Sequence, residues 1–163
     1  MSNVQIKAAV LSVSDTRKPE NDLSGDALAR LLLSVGAEVV GKLIVSDDLA
    51  DLRETLYVLT ERDDVNLIVT TGGTGLGPRD NTPEATRAVI EREAPGLAEA
   101  MRAETLKNTP LAMLSRGVCG IRGTTLIINL PGSPKGVREC FEVIRPVLRH
   151  AVDQVSGNTR HEN

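Results

Sequence analysis

VTTGGTGLGPRDNTPEAT, running from Val69 to Thr86, holds the signals that decide the fold. Val65, Ile68, Val69, Thr70 and Thr71 form a β-branched run that breaks into Gly72, Gly73, Gly75 and Gly77. Pro78, Arg79 and Asp80 follow, and Thr82, Pro83 and Glu84 read as a helix start with Thr82 as cap and Pro83 first in the helix. The order is strand, glycine turn, helix N-terminus. Glycines let the backbone approach a ligand closely, and successive free N–H groups make a nest for an anion. One or two glycines would only satisfy a tight turn. Four glycines with three threonines and an Arg-Asp pair point to an anion site. No GK[ST] follows, so the turn is not a Walker A loop, and Pro78 stands where GxGxxG counted from Gly73 needs glycine.

Outward from this turn, strands and helices alternate. Ile6 to Val13, Glu38 to Val45 and Val65 to Thr70 read as buried parallel strands. A helix bearing Ala27, Leu28, Leu31, Leu32 and Val35 ends at Gly36, and Leu49, Leu52, Leu56 and Leu59 stripe a second. Pro95-Gly96 is expected to break the helix begun at Thr82 and open another with Leu97, Met101 and Leu106. Leu111 to Arg116 reads as a short helical turn, and Val118 to Ile121 and Thr124 to Leu130 as strands. Ser133 and Pro134 then open a long helix that Pro146 must kink or divide. The alternation predicts a three-layer α/β fold with a mostly parallel central sheet. It is read as one domain over residues 1–163, with its core at about 4–155 and a frayed tail at 156–163.

Composition narrows the function. The 163 residues are 40% hydrophobic and 25% charged, with one Phe, one Tyr and no Trp. A net charge of −3 and so few aromatics argue against nucleic acid as partner. Cys119 and Cys140 lack the spacing of a zinc site or a disulfide framework and read as reduced core thiols. The start MSNVQIKAAV has no signal-peptide pattern, and no apolar run approaches membrane-spanning length, so a cytoplasmic protein is expected.

Four turns fall at strand ends: Ser14-Asp15, Ser46-Asp47, Thr71 to Asp80 and Pro131 to Lys135. In a parallel sheet they can converge on one edge. Carboxylates there would repel phosphate unless a cation intervened, so Asp47 and Asp80 suggest Mg²⁺ and phosphoryl or nucleotidyl transfer. Each has a plainer reading: Asp47 caps the Leu49 helix, and Asp80 pairs with Arg79 or the helix dipole. Ser133 is likewise a possible cap and Lys135 a solvated side chain. His150 and His161 stand near no Ser or Cys in a recognisable catalytic arrangement.

TTGGTGLGPRDNTPEAT, LSRGVCGIRGTTLIINLPGSPKG, LSVSDTR with the later D-LSGDAL, and IVSDD together resemble the MogA/MoaB family of molybdenum cofactor biosynthesis. The resemblance spans about Ala8 to Val152. It implies a molybdopterin-binding α/β domain and molybdopterin adenylyltransferase activity with Mg²⁺, ATP and molybdopterin: the pterin's terminal phosphate attacks the α-phosphorus of ATP. It implies a trimer or hexamer, and a downstream molybdate-inserting protein as partner. Carried over by motif, the acidic catalytic and metal positions fall on Asp47 and Asp80. The nucleotide and phosphate positions fall on Thr71, Gly72, Gly73, Thr74 and Gly75, with Ser14 and Asp15 at the cleft edge. The pterin-facing positions fall on Ser115, Arg116, Pro131, Gly132, Ser133 and Lys135. Whether Asp47 or Asp48 faces the metal stays open. Ser46 stands where many members have Pro, and Asn81 where Val is common. A non-catalytic molybdopterin carrier of the same fold is the alternative.

Overall fold

A computed structural model describes residues 4–158. A six-stranded sheet lies in the order β2-β1-β3-β6-β5-β4. Its strands are β1 (Lys7–Val13), β2 (Glu38–Val45), β3 (Leu67–Thr71), β4 (Arg92–Glu93), β5 (Cys119–Arg122) and β6 (Thr125–Leu130). The first four in that order are parallel, while β5 and β4 run antiparallel to their neighbours. The helices are α1 (Leu23–Ser34), α2 (Leu49–Thr60), α3 (Thr82–Val89), α4 (Pro95–Leu106) and α5 (Pro134–Val155).

Strand periodicity divides the core into two apolar layers. Ala8, Val10, Leu67, Val69, Leu126 and Ile128 pack with Leu28 and Leu32 of α1, Met101 of α4, and Phe141, Ile144 and Leu148 of α5. Ala9, Leu11, Val13, Ile68 and Ile127 pack on the other face with Leu52, Leu56 and Leu59 of α2, and Ala85 and Val89 of α3. The three-layer architecture expected from the sequence is therefore present. No described helix is long and apolar enough to cross a membrane.

Strand β1 has β2 on one side and β3 on the other. The chain thus reverses its direction of travel across the sheet at β1, and a crevice opens beyond the strand ends at such a switch point. The turns after β1 and β3 both lie there.

Several local expectations change. The helix begun at Thr82 ends at Val89, well before Pro95. Ile90 turns extended and covers Gly120, where a side-chain carbon would come within 2.5 Å of Ile90. Backbone bonds Glu91 N–H to Ile121 O and Ala94 N–H to Cys119 O, both 2.8 Å, then form the β4 edge. Pro95 starts α4 rather than breaking α3. The turn expected at Leu111 to Arg116 is a 3-10 helix at Pro110–Leu114. Helix α5 continues through Pro146 undivided, with Ile144 and Leu148 buried on either side of it. Of the expected frayed tail, Ser156 to Asn158 form a turn after α5, and 159–163 lie outside the described residues.

Candidate active site

Two of the glycines are dictated by backbone shape. Gly72 and Gly73 have φ of 104° and 66°, a region that L side chains rarely adopt. A side-chain carbon on Gly72 would lie 2.6 Å from the Val13 carbonyl, and one on Gly73 would lie 2.3 Å from Thr82 Oγ1. Gly75 and Gly77 serve another purpose. A side-chain carbon on either would stand 2.9 or 2.8 Å from Asp80 Oδ2. They leave space for that carboxylate, which accepts a hydrogen bond from the Gly77 N–H at 2.8 Å.

The expected cap at Thr82 is corrected: Asn81 holds the cap position, and Thr82 is the first helical residue. The buried Gly72 carbonyl recruits the Thr82 hydroxyl at 2.9 Å instead. The Asn81 amide donates to the Asp47 carbonyl at 2.9 Å. The cap reading of Asp47 is likewise set aside, since Asp48 caps α2 by accepting from the Asp51 N–H at 3.0 Å. Asp47 is free to face the crevice.

Asp47 and Asp15 are locked reciprocally. The Asp15 N–H donates to Asp47 Oδ2 at 2.9 Å, and the Asp47 N–H donates to Asp15 Oδ1 at 3.0 Å. Arg79 reaches across from the glycine turn and donates to both Asp15 oxygens at 2.6 and 3.0 Å. That hydrogen-bonded guanidinium holds the Asp15 carboxyl below its ordinary value. The Asp47 carboxyl is pushed up, first by burial and further by the charges of Asp15 and Asp80, against the Asp15 N–H and Arg79. Ser14 Oγ accepts from the N–H groups of Thr16 and Arg17 and shapes the same loop.

The turn after β6 packs directly against the glycine turn after β3. The buried Thr71 hydroxyl donates to the Pro131 carbonyl at 2.7 Å. A side-chain carbon on Gly132 would lie 3.3 Å from the Gly72 Cα. The Gly132 carbonyl accepts from Ser24 Oγ at 2.6 Å and Arg17 at 3.3 Å. Asp22, fully buried, anchors this support through Ser12 Oγ at 2.7 Å, the Gly25 N–H at 3.1 Å, and ion pairs with Arg17 and Lys42. Ser133 caps α5 through the Gly136 N–H at 3.0 Å, and Lys135 is exposed, 3.9 Å from Glu139.

Beside the crevice lies a cavity of about 230 Å³ between α4, the 3-10 turn and the start of α5. Ser115, Pro131 and Ser133, distant in sequence, line it together with Arg102 and Cys140. Asp47 and Asp80 are not among its walls. Arg116 does not line it either. Its guanidinium is spent on the glycine turn and Glu84. Sequence reading missed Arg102, which donates to the Gly117 carbonyl at 2.8 Å, and gave no role to Arg17 and Asp22, although both stand in the LSVSDTR and D-LSGDAL motifs. Their partners come together only in the fold: Arg102 and Arg17 donate to the Gly117 and Gly132 carbonyls, and Asp22 accepts from Ser12 and the Gly25 N–H.

A family model described as "Probable molybdopterin binding domain" matches residues 9–150. The chain belongs to the MogA/MoaB family of molybdopterin-binding domains. It is 41% identical to a molybdopterin adenylyltransferase of Helicobacter pylori strain J99 over 165 residues, covering 97% of this chain and 92% of that protein. It is 47% identical over 157 residues to the molybdenum cofactor synthesis protein cinnamon of Drosophila melanogaster. That match covers 94% of this chain but only 26% of the relative, so the chain spans about a quarter of its length. Among solved structures, the MoaB molybdopterin biosynthesis enzyme of Thermus thermophilus superposes with a TM-score of 0.86. It has 46% identity, and the match covers 94% of this chain and 98% of that one. The Mog protein of Mycobacterium ulcerans gives 0.85 at 42% identity, covering 94% and 99%.

The MogA/MoaB membership agrees with the motifs on which the sequence resemblance rested. Those motifs end at the strand tips: SVSD after β1, VSDD after β2, the TTGGTG run after β3 and LPGSPK after β6.

Proposed function

We propose that this chain is a Mg²⁺-dependent molybdopterin adenylyltransferase, acting in molybdenum cofactor biosynthesis. The observation that carries the reading is that Asp47 and Asp80 sit on the turns bordering the switch-point crevice, each holding one backbone N–H, with the charge of Asp80 felt at Asp47. Relatives of nearly the same length bear that activity in their names.

The carboxylates fit a magnesium ion of the substrate-bridging kind. Mg²⁺ takes one or two protein carboxylates and fills its octahedron with phosphate oxygens and water. Among the described residues no three His, Cys, Asp or Glu converge into a metal cage, and a metal held largely by nucleotide needs none. Asp47 and Asp80 each commit one oxygen to a backbone N–H and keep the other without a hydrogen-bond partner among the described residues. When bound, the ion neutralises charge developing on the phosphates.

The chain supplies the positioning. The turn from Thr71 to Gly75 receives the triphosphate: the Gly72 N–H is held by the Leu130 carbonyl, the N–H groups of Gly73, Thr74 and Gly75 form the nest, and Ser14 and Asp15 shape the neighbouring wall. Ser115, Pro131, Gly132, Ser133 and Lys135 receive the pterin and its phosphate at the start of α5. A terminal phosphate oxygen of the pterin forms a bond to the α-phosphorus of ATP, the bond from that phosphorus to the bridging oxygen breaks, and pyrophosphate leaves. No covalent enzyme intermediate is needed. The buried thiols stand outside this chemistry, since burial pushes Cys119 up to about 12 and Cys140 up to about 11. We place the protein in the cytoplasm as a trimer or hexamer that hands its product to a molybdate-inserting partner.

The test is turnover. Purified protein with molybdopterin and Mg-ATP should yield adenylylated pterin and pyrophosphate, and Asp80→Asn should lose roughly 10²–10³-fold in kcat, the scale for a lost charge-stabilising group. Pterin binding without product, unchanged in the variant, leaves a carrier.

A further inference from the structure

Ser115 has extended backbone, with φ −70° and ψ 125°, and such a backbone sends successive side chains in opposite directions. Ser115 lines the cavity, while Arg116 points the other way, into the glycine turn. The Arg116 Nε donates to the Gly75 carbonyl at 2.7 Å, and Nη2 donates to the Asp80 carbonyl at 2.7 Å. Glu84 accepts from Nη1 and, at 3.4 Å, from Nη2. The Arg116 backbone N–H donates to the Thr74 carbonyl at 2.8 Å. One residue therefore satisfies the carbonyls of Thr74, Gly75 and Asp80, which flank the turn on both sides.

Apart from the Arg79 bridge to Asp15, little else among the described residues fixes that turn. Leu76 is 66% exposed, and between Gly75 and Asp80 the internal bonds are the Asp80 N–H to the Gly77 carbonyl at 3.0 Å and the Gly77 N–H to Asp80 Oδ2. Gly75 and Gly77 have no side chains to pack. A planar fork with donors on two carbonyls and a carboxylate behind it is geometry that a lysine cannot reproduce.

We infer that Arg116, held by Glu84, is a positioning residue that fixes Asp80 for catalysis, and that it does not bind the pterin. The inference rests on the adenylyltransferase reading and assigns Arg116 to the nucleotide side of that site. Ser115 keeps the pterin side, so one dipeptide serves both halves of the cleft.

The experiment uses Arg116→Lys, Glu84→Gln and Ser115→Ala in the full chain. Molybdopterin is varied at saturating Mg-ATP, and hydrogen exchange of the Gly77 amide is followed in parallel. Arg116→Lys should lower kcat about 10–100-fold, the cost of a catalytic group displaced by about an ångström, with the KM for molybdopterin within about twofold of wild type. Glu84→Gln should show the same split more weakly, and both should lose Gly77 amide protection. Ser115→Ala should raise the pterin KM instead. A raised pterin KM with unchanged kcat in Arg116→Lys overturns the inference. If the lysine variant fails to fold, the same split in Glu84→Gln decides it. If wild type binds pterin without turnover, the adenylyltransferase reading falls alone, and unchanged Gly77 protection in Arg116→Lys or Glu84→Gln still overturns the positioning role.

Discussion

Asp47 carries the local electrostatic tension of the site. Burial and two neighbouring carboxylates push its proton affinity up, and Arg79 works against them. Because the folded pKa is raised, the ionised form of Asp47 opposes folding, and that opposition grows as pH rises through the folded pKa. Asp47→Asn keeps an acceptor for the Asp15 N–H and removes the charge. We expect it to abolish adenylyl transfer while Tm at neutral pH stays the same or rises, a pairing that thermal melts and turnover assays can read together. The same logic gives a pH dependence. On acidification Asp47 takes its proton at a higher pH than an ordinary carboxylate, so activity should fall early on the acid side. Arg79→Gln deletes a charge that lowers this pKa, and the acid limb of kcat/KM should move to still higher pH. Asn81 adds a polar tie beside the same acid. Its amide holds the Asp47 carbonyl, and Asn81→Val should cost about 1 kcal/mol, as for one lost hydrogen bond.

The glycine turn contains two kinds of glycine, and substitution should separate them. Gly72→Ala and Gly73→Ala force a strained φ and a clash with Val13 O or Thr82 Oγ1, so stability should fall by more than about 1–3 kcal/mol in denaturant titrations. Gly75→Ala and Gly77→Ala have no such backbone demand, and their added carbon meets only the movable Asp80 carboxylate. Tm should hardly change, while kcat drops about 10–100-fold as Asp80 shifts. The strand, the glycines and the helix were legible in the sequence because their periodicity and turn chemistry are local. The two-residue β4 was not, since Arg92 and Glu93 are both exposed and pair only because β5 is present. Thr82 deceived for the same reason: its spacing fits a cap, but a buried carbonyl brought from Gly72 claims the hydroxyl. Asp47 and Asp80 were recognisable as an acidic pair, whereas Arg116's partners at Gly75, Asp80 and Glu84 become neighbours only in the fold.

At the scale of the molecule, the site joins the tips of β1, β2, β3 and β6, so ligand binding and global stability are linked. Mg-ATP at about 100 times its Kd should add about 2.7 kcal/mol to unfolding, visible as a Tm rise that is absent without Mg²⁺ and absent in Asp80→Asn. The contacts that close the site span long stretches of chain: Thr71 to Pro131 over 60 residues, Arg79 to Asp15 over 64, and Asp15 to Asp47 over 32. Parallel pairing delays such contacts, because loop-closure entropy is spent before they form. The helices have local bonds and can appear early. The crevice therefore comes last in time. In a refolding experiment, helical signal should recover first, and nucleotide binding should return only with the slowest phase that completes the sheet.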